Sequence, residues 1–170
     1  MDILTIGLGT IGTTYSYLFN KAGHNVEHYI RKSSKKINIT ELNVDMLDGR
    51  NNKKGDHYTD TYKVNTHTKD NYDFIFISMP AGNIESVIET LNSNNIKGTI
   101  ILCCGIWEDK KYLEKVMQGR EFILGYPVAG GNIVDTTLTC CIFDHFILEK
   151  KENSKINNYD KLVSLFESCN

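Results

Sequence analysis

A doubly wound α/β fold with a mostly parallel sheet is predicted by three observations. Short apolar runs alternate with segments of helical periodicity along the chain. A glycine-rich turn beginning at Gly7 separates the first apolar run from the first helical segment. The run Asp73-Phe-Ile-Phe-Ile-Ser78 is apolar through its centre, as a parallel strand covered on both faces must be.

The elements follow in order. Asp2–Ile6 reads as a short buried strand. From Thr10 to Ala22 the apolar residues Ile11, Tyr15, Leu18, Phe19 and Ala22 recur at helical spacing, and Gly23 supplies the C-terminal cap. Val26–Ile30 is the second strand, and Arg31–Lys36 a basic, serine-containing loop. Ile37–Leu47 and Tyr58–Val64 are strand candidates on either side of a polar turn, Asp48–Gly55. After the Asp73 strand, Ile84, Val87, Ile88 and Leu91 mark one face of a helix over 83–91. Thr99–Cys104 is a strand, Glu108–Met117 a helix and Phe122–Tyr126 a further strand. Leu138–Phe143 and Phe146–Leu148 are later strands, Lys150–Asn158 a polar bridge, and Tyr159–Ser168 a last helix. Short strand-helix-strand connections imply right-handed parallel crossovers within a single domain over 1–170. No internal repeat, heptad or low-complexity linker interrupts it.

Composition narrows the function classes. Lys and Arg total 19 against 21 Asp and Glu, a net charge of −2, so no basic excess is available to hold a nucleic acid. No apolar run is long enough to span a bilayer. Asp2 stands where a signal peptide would carry basic residues, so a soluble, cytoplasmic protein without a membrane partner is expected. The five cysteines include two adjacent pairs, Cys103–Cys104 and Cys140–Cys141, on strand-like runs. Neighbours on a strand point to opposite faces, so these read as reduced structural thiols and no metal site is expected. The histidines at 24, 28, 57, 67 and 145 show no metal-like spacing and are assigned no role.

Gly7-Leu8-Gly9-Thr10-Ile11-Gly12 is a complete G-x-G-x-x-G in the context its chemistry requires: strand, turn, helix. Gly7 permits the tight turn, Gly9 lets backbone approach a pyrophosphate, and Gly12 allows helix to pack closely on strand. The helix start offers free N–H groups and the positive end of its dipole. This is the dinucleotide-binding turn of a Rossmann-type domain with helices on both sheet faces. NAD-specific domains place an acid at the end of the second strand, to accept from the ribose hydroxyls. Here Ile30 and Arg31 stand at that position, and Glu27 lies too early on the strand. Arg31 can grip a 2′-phosphate, with Lys32 and Ser33 assisting, so NADP(H) is the expected cofactor. Ligands in such folds lie beyond the strand ends. The loops Ser78-Met79-Pro80-Ala81-Gly82 and Cys104-Gly105-Ile106-Trp107 are therefore expected to line the crevice, with the nicotinamide near Met79-Pro80 and Cys104-Gly105 and with Trp107 as a packing residue.

With these residues in place, the chain resembles the N-terminal domain of the ketopantoate reductase family over roughly residues 1–150. The resemblance is carried by the glycine turn, Gly23-His24, Arg31, Asp73–Ser78 and Gly125-Tyr-Pro-Val-Ala-Gly-Gly131. It implies NADPH-dependent reduction of a 2-oxo acid to a 2-hydroxy acid. The family usually has a lysine where Met79-Pro80 stand and an asparagine where Cys104 stands. Its general-acid lysine and substrate-binding acid lie in a helical C-terminal domain, which is expected to be absent here, so no catalytic residue is assigned. Such a reductase half would leave an apolar docking patch near the last helix, for a separate substrate-domain chain or a second copy. The alternatives are a stand-alone NADP(H)-binding sensor and an interaction module without catalysis.

Overall fold

The structure, a computed structural model, describes residues 1–103, 105 and 109–169. Its strands are β1 (Asp2–Ile6), β2 (Asn25–Tyr29), β3 (Glu41–Asp48), β4 (Asp56–Lys63), β5 (Asn71–Ile77), β6 (Lys97–Leu102), β7 (Phe122–Tyr126), β8 (Ala129–Val134), β9 (Thr137–Ile142) and β10 (Ile147–Leu148). The helices are α1 (Thr10–Lys21), α2 (Ile84–Ser93), α3 (Lys110–Met117) and α4 (Tyr159–Glu167). Single 3₁₀ turns precede α2 and α4.

A six-stranded sheet runs in the order β10-β7-β6-β5-β1-β2, parallel throughout except for β10. Side chains alternate across it with the period of two that a strand imposes. On β5, Phe74 and Phe76 enter one core, and Ile75 and Ile77 the other. The first core holds α1 and α4, through Tyr15, Leu18, Phe19, Leu162 and Leu165. The second holds α2 and α3, through Ile84, Val87, Ile88, Leu91, Leu113, Val116 and Met117. Helices thus cover both faces, as the alternation pattern predicts.

One expectation needs correction. The strands do not all join one sheet: β4-β3-β9-β8 form a second, four-stranded sheet. Within it β3 pairs parallel with β9, Asn43 opposite Thr137, and the remaining pairings are antiparallel. Strand β8 was not expected, because Ala-Gly-Gly-Asn-Ile-Val carries too little alternation to announce a strand. Its partner β9 holds it in register from Ala129 opposite Ile142 to Val134 opposite Thr137. The stretch 37–47 is a strand only from Glu41 onward. Before it, residues 31–39 make successive turns closed by Ser34 N–H to the Arg31 carbonyl, Ile37 N–H to Ser34 and Ile39 N–H to Lys36.

The second sheet changes the standing of α1. The sequence marks Ile11, Tyr15, Leu18, Phe19 and Ala22 at helical spacing, yet residues Gly12 to Phe19 are all buried, polar ones included. The helix lies between the two sheets. Leu42, Val44, Met46, Leu138 and Cys140 share its core with Ile3, Phe74 and Phe76 of the first sheet. Two hydroxyls of this buried stretch find partners inside the protein. Thr14 donates its hydroxyl to the Thr10 carbonyl (2.9 Å), and the Ser16 and Thr5 hydroxyls share a 2.6 Å bond to the sheet below. Among the described residues no helix is long and apolar enough to cross a membrane.

Candidate functional site

In the six-stranded sheet, β1 has β2 on one side and β5 on the other, so chain connections leave it in opposite directions. Ligands bind at such a reversal, beyond the carboxyl ends of the strands. A cleft of about 400 Å³ opens there. Its walls come from the glycine turn after β1, the loop after β2, Met79 and Pro80 after β5, and one edge of α2.

The glycine turn is held from both sides. Gly7 adopts φ +81°, a region that a side chain disfavours, and its N–H donates to the Tyr29 carbonyl at 2.8 Å. Gly9 is the exposed N-cap of α1 and has no side chain to occupy the orphan N–H groups of the first turn. No acidic residue stands in that turn either, so a bound anion would meet only N–H donors and the positive dipole end. A Cβ on Gly9 would come no closer than 4.0 Å to any neighbour, so its absence keeps the approach open to a ligand rather than relieving a clash. Gly12 is different. A Cβ there would lie 2.9 Å from both Ser78 Oγ and Thr5 Cγ2, so the glycine lets α1 sit down on β1 and β5.

His28, unassigned from the sequence, braces this turn. It is fully buried on β2, with Nδ1 at 2.9 Å from the Gly7 carbonyl and Nε2 at 2.8 Å from the Tyr62 hydroxyl of β4. A carbonyl can only accept, so Nδ1 carries the proton and Nε2 accepts from Tyr62. Burial pulls the imidazole pKa from 6.5 down to about 4, so the ring is neutral at physiological pH. The second sheet thereby reaches through β2 and holds the glycine loop.

Glu27, the acid of β2, is buried and does not line the cleft. Its carboxylate accepts from Thr68 N–H (2.7 Å), the Thr68 hydroxyl (2.7 Å) and the Tyr72 hydroxyl (2.6 Å). Burial acts to raise its pKa, but these three donors hold it below the ordinary glutamate value. Its lone pairs serve the connection between β2 and β5 and are not offered to a ribose.

Of the residues singled out in the sequence, Gly7, Leu8, Gly9, Arg31, Ser33, Met79 and Pro80 line the cleft together. Thr10, Ile11 and Gly12 follow Gly9 out of the cleft wall as the first turn of α1. Lys32 is exposed and is not part of the wall. Gly105 is exposed beyond β6, while Cys104 and Trp107 lie outside the described residues. Sequence reasoning missed Ser34, Lys36 and the α2 edge formed by Asn83, Ser86 and Thr90. The α2 edge carried a signal. Ser86 and Thr90 stand four apart, flanking the apolar stripe of Val87 and Leu91, which is where a helix borders a cleft.

The sequence profile described as ketopantoate reductase PanE/ApbA matches residues 3–126, a span containing the glycine turn, Arg31 and both crevice loops. The chain belongs to this family. No curated protein sequence gives a significant match. Solved structures superpose on almost the whole chain. The 2-dehydropantoate 2-reductase from Geobacter metallireducens is 15% identical with a TM-score of 0.70, covering 99% of this chain and 56% of that one. A ketopantoate reductase from Ralstonia eutropha is 14% identical with a TM-score of 0.72, covering 99% and 54%. A D-mandelate dehydrogenase solved with NADH and anilino(oxo)acetate is 15% identical with a TM-score of 0.66, again covering 99% and 54%. This chain therefore spans about half the length of each of these three proteins, and at such identity the likeness is one of fold.

Proposed function

We propose that this domain binds NADP(H) in preference to NAD(H), as the nucleotide-binding part of a reductase that converts a 2-oxo acid to a 2-hydroxy acid. The observation that carries the cofactor choice is the loop after β2. Arg31 and Ser33 line the cleft there, while Glu27, the acid of β2, is buried and committed to Thr68 and Tyr72. A planar guanidinium suits a phosphate, and among the described residues no carboxylate lines the cleft to bind an unphosphorylated ribose.

The chain's own residues bind and orient. The uncapped first turn of α1 faces the pyrophosphate with the N–H groups of Thr10 and Ile11, and Gly9 keeps that approach open. Arg31 holds the 2′-phosphate. Val87 and Leu91 form an apolar wall for the adenosine, and Met79 and Pro80 lead from that wall toward the nicotinamide end. When bound, the reduced nicotinamide supplies a hydride. The oxo-acetate bound by the D-mandelate dehydrogenase supports the substrate class, whereas its NADH leaves the phosphate preference resting on Arg31. Because the relatives are nearly twice as long, we assign the substrate-binding and proton-donating groups to sequence outside these 170 residues.

Calorimetric titration of the wild-type chain and Arg31→Ala with NADPH and NADH tests the reading. A charge-assisted contact of about 1.5–3 kcal/mol predicts that Arg31→Ala weakens NADPH binding by roughly tenfold or more. NADH binding should change little. Failure of the wild type to bind either nucleotide would sink the proposal.

A further inference from the structure

We propose that Lys36, rather than Lys32, is the second cation of the 2′-phosphate subsite and sets the preference for a phosphorylated dinucleotide. This deepens the nucleotide reading above and rests on it. Arg31 and Lys36 both line the cleft, whereas Lys32 and Lys35 on the same loop are exposed and stand outside its wall. The turns between them produce this arrangement. Ser34 N–H closes on the Arg31 carbonyl, and the Ser34 hydroxyl accepts the Lys36 N–H at 3.2 Å. Immediately afterwards Ile37 and Ile39 pack against the core, so the backbone at Lys36 is anchored from both sides.

The Lys36 ammonium donates to the Leu8 carbonyl at 2.8 Å, which places it at the glycine turn while Arg31 stands at the end of β2. A lysine has three N–H donors and the Leu8 carbonyl takes one of them. Among the described residues no carboxylate pairs with Lys36, so its charge is not neutralised locally. A phosphomonoester carries close to two negative charges at neutral pH, and Arg31 supplies only one positive charge. A half-buried second cation at the same cleft mouth completes the balance where solvent screening is weakened.

The experiment measures NADPH and NADH affinities by calorimetry, with melting temperatures, for the wild type, Lys36→Gln, Lys36→Arg and Lys32→Gln. Glutamine keeps a donor for the Leu8 carbonyl and removes the charge. Lys36→Gln is expected to raise the NADPH Kd by about tenfold or more while the NADH Kd stays within about threefold. Lys36→Arg should retain most of the discrimination, and Lys32→Gln should change neither affinity appreciably. Equal losses for both nucleotides would mean that Lys36 only props the glycine turn, and would overturn the inference. So would a Lys32→Gln loss as large as that of Lys36→Gln. If the wild type shows no preference for NADPH, the nucleotide reading itself fails and takes this inference with it.

Discussion

Acid should loosen this domain through one side chain in particular. His28 is fully buried between the Gly7 carbonyl and the Tyr62 hydroxyl, and its pKa falls from 6.5 to about 4 on folding. The unfolded chain therefore binds a proton that the folded chain excludes. The stabilisation is fully present above the unfolded value of 6.5 and is lost as pH falls toward and through 4. A tenfold change in relative protonation is worth a little over 1 kcal/mol, so lowering the pH from about 7 to about 4.5 should remove on the order of 2–3 kcal/mol. Asp2, Glu27, Asp48, Asp60 and Asp73 are also held below ordinary carboxylate values and also weaken the fold in acid. Comparison with His28→Gln, which is neutral at every pH, cancels their share. Urea unfolding of both proteins at the two pH values gives the assay. The stability gap between wild type and variant should shrink by on the order of 2–3 kcal/mol in acid. A gap that stays constant would refute the buried, neutral imidazole.

Two further outcomes follow from the same packing. Gly12→Ala places a Cβ 2.9 Å from Ser78 Oγ and Thr5 Cγ2, and should cost about 1–3 kcal/mol by overpacking, read as a lowered urea midpoint. An unchanged midpoint would mean that α1 can lift off the sheet freely. Glu27→Ala strips the acceptors from Thr68 and Tyr72 and should cost about 1–3 kcal/mol of stability. It should leave the ratio of NADPH to NADH affinity unaltered, and a shift in that ratio would return Glu27 to the ribose.

Much of the first sheet was legible because its signals are local. The continuous apolar run of β5, the apolar stripe of α2 and the G-x-G-x-x-G after β1 each lie within one short window, and the structure keeps all three. Arg31 follows β2 directly and lines the cleft, so a reading along the chain could place it. Glu27 and His28 were harder. Both are polar residues on a short strand, and nothing adjacent in sequence shows that Thr68, Tyr72 and Tyr62 will bury and satisfy them. Lys36 looked like one more cation in a basic loop until the turns and the Leu8 carbonyl separated it from Lys32 and Lys35.

By itself, then, the sequence determined the α/β class, the dinucleotide turn with its open helix start, and a cationic strand end in place of an acid. These depend on backbone conformation, periodicity and residue type over a few positions. Only the tertiary structure decided that β3 finds β9 more than ninety residues along the chain, with Asn43 opposite Thr137, and that β8 joins them. Pairing between distant strands is set by cross-strand packing and register, which no local window contains. From the second sheet so formed come the burial of α1 from Gly12 to Phe19 and the Tyr62–His28 link that holds the glycine turn in place.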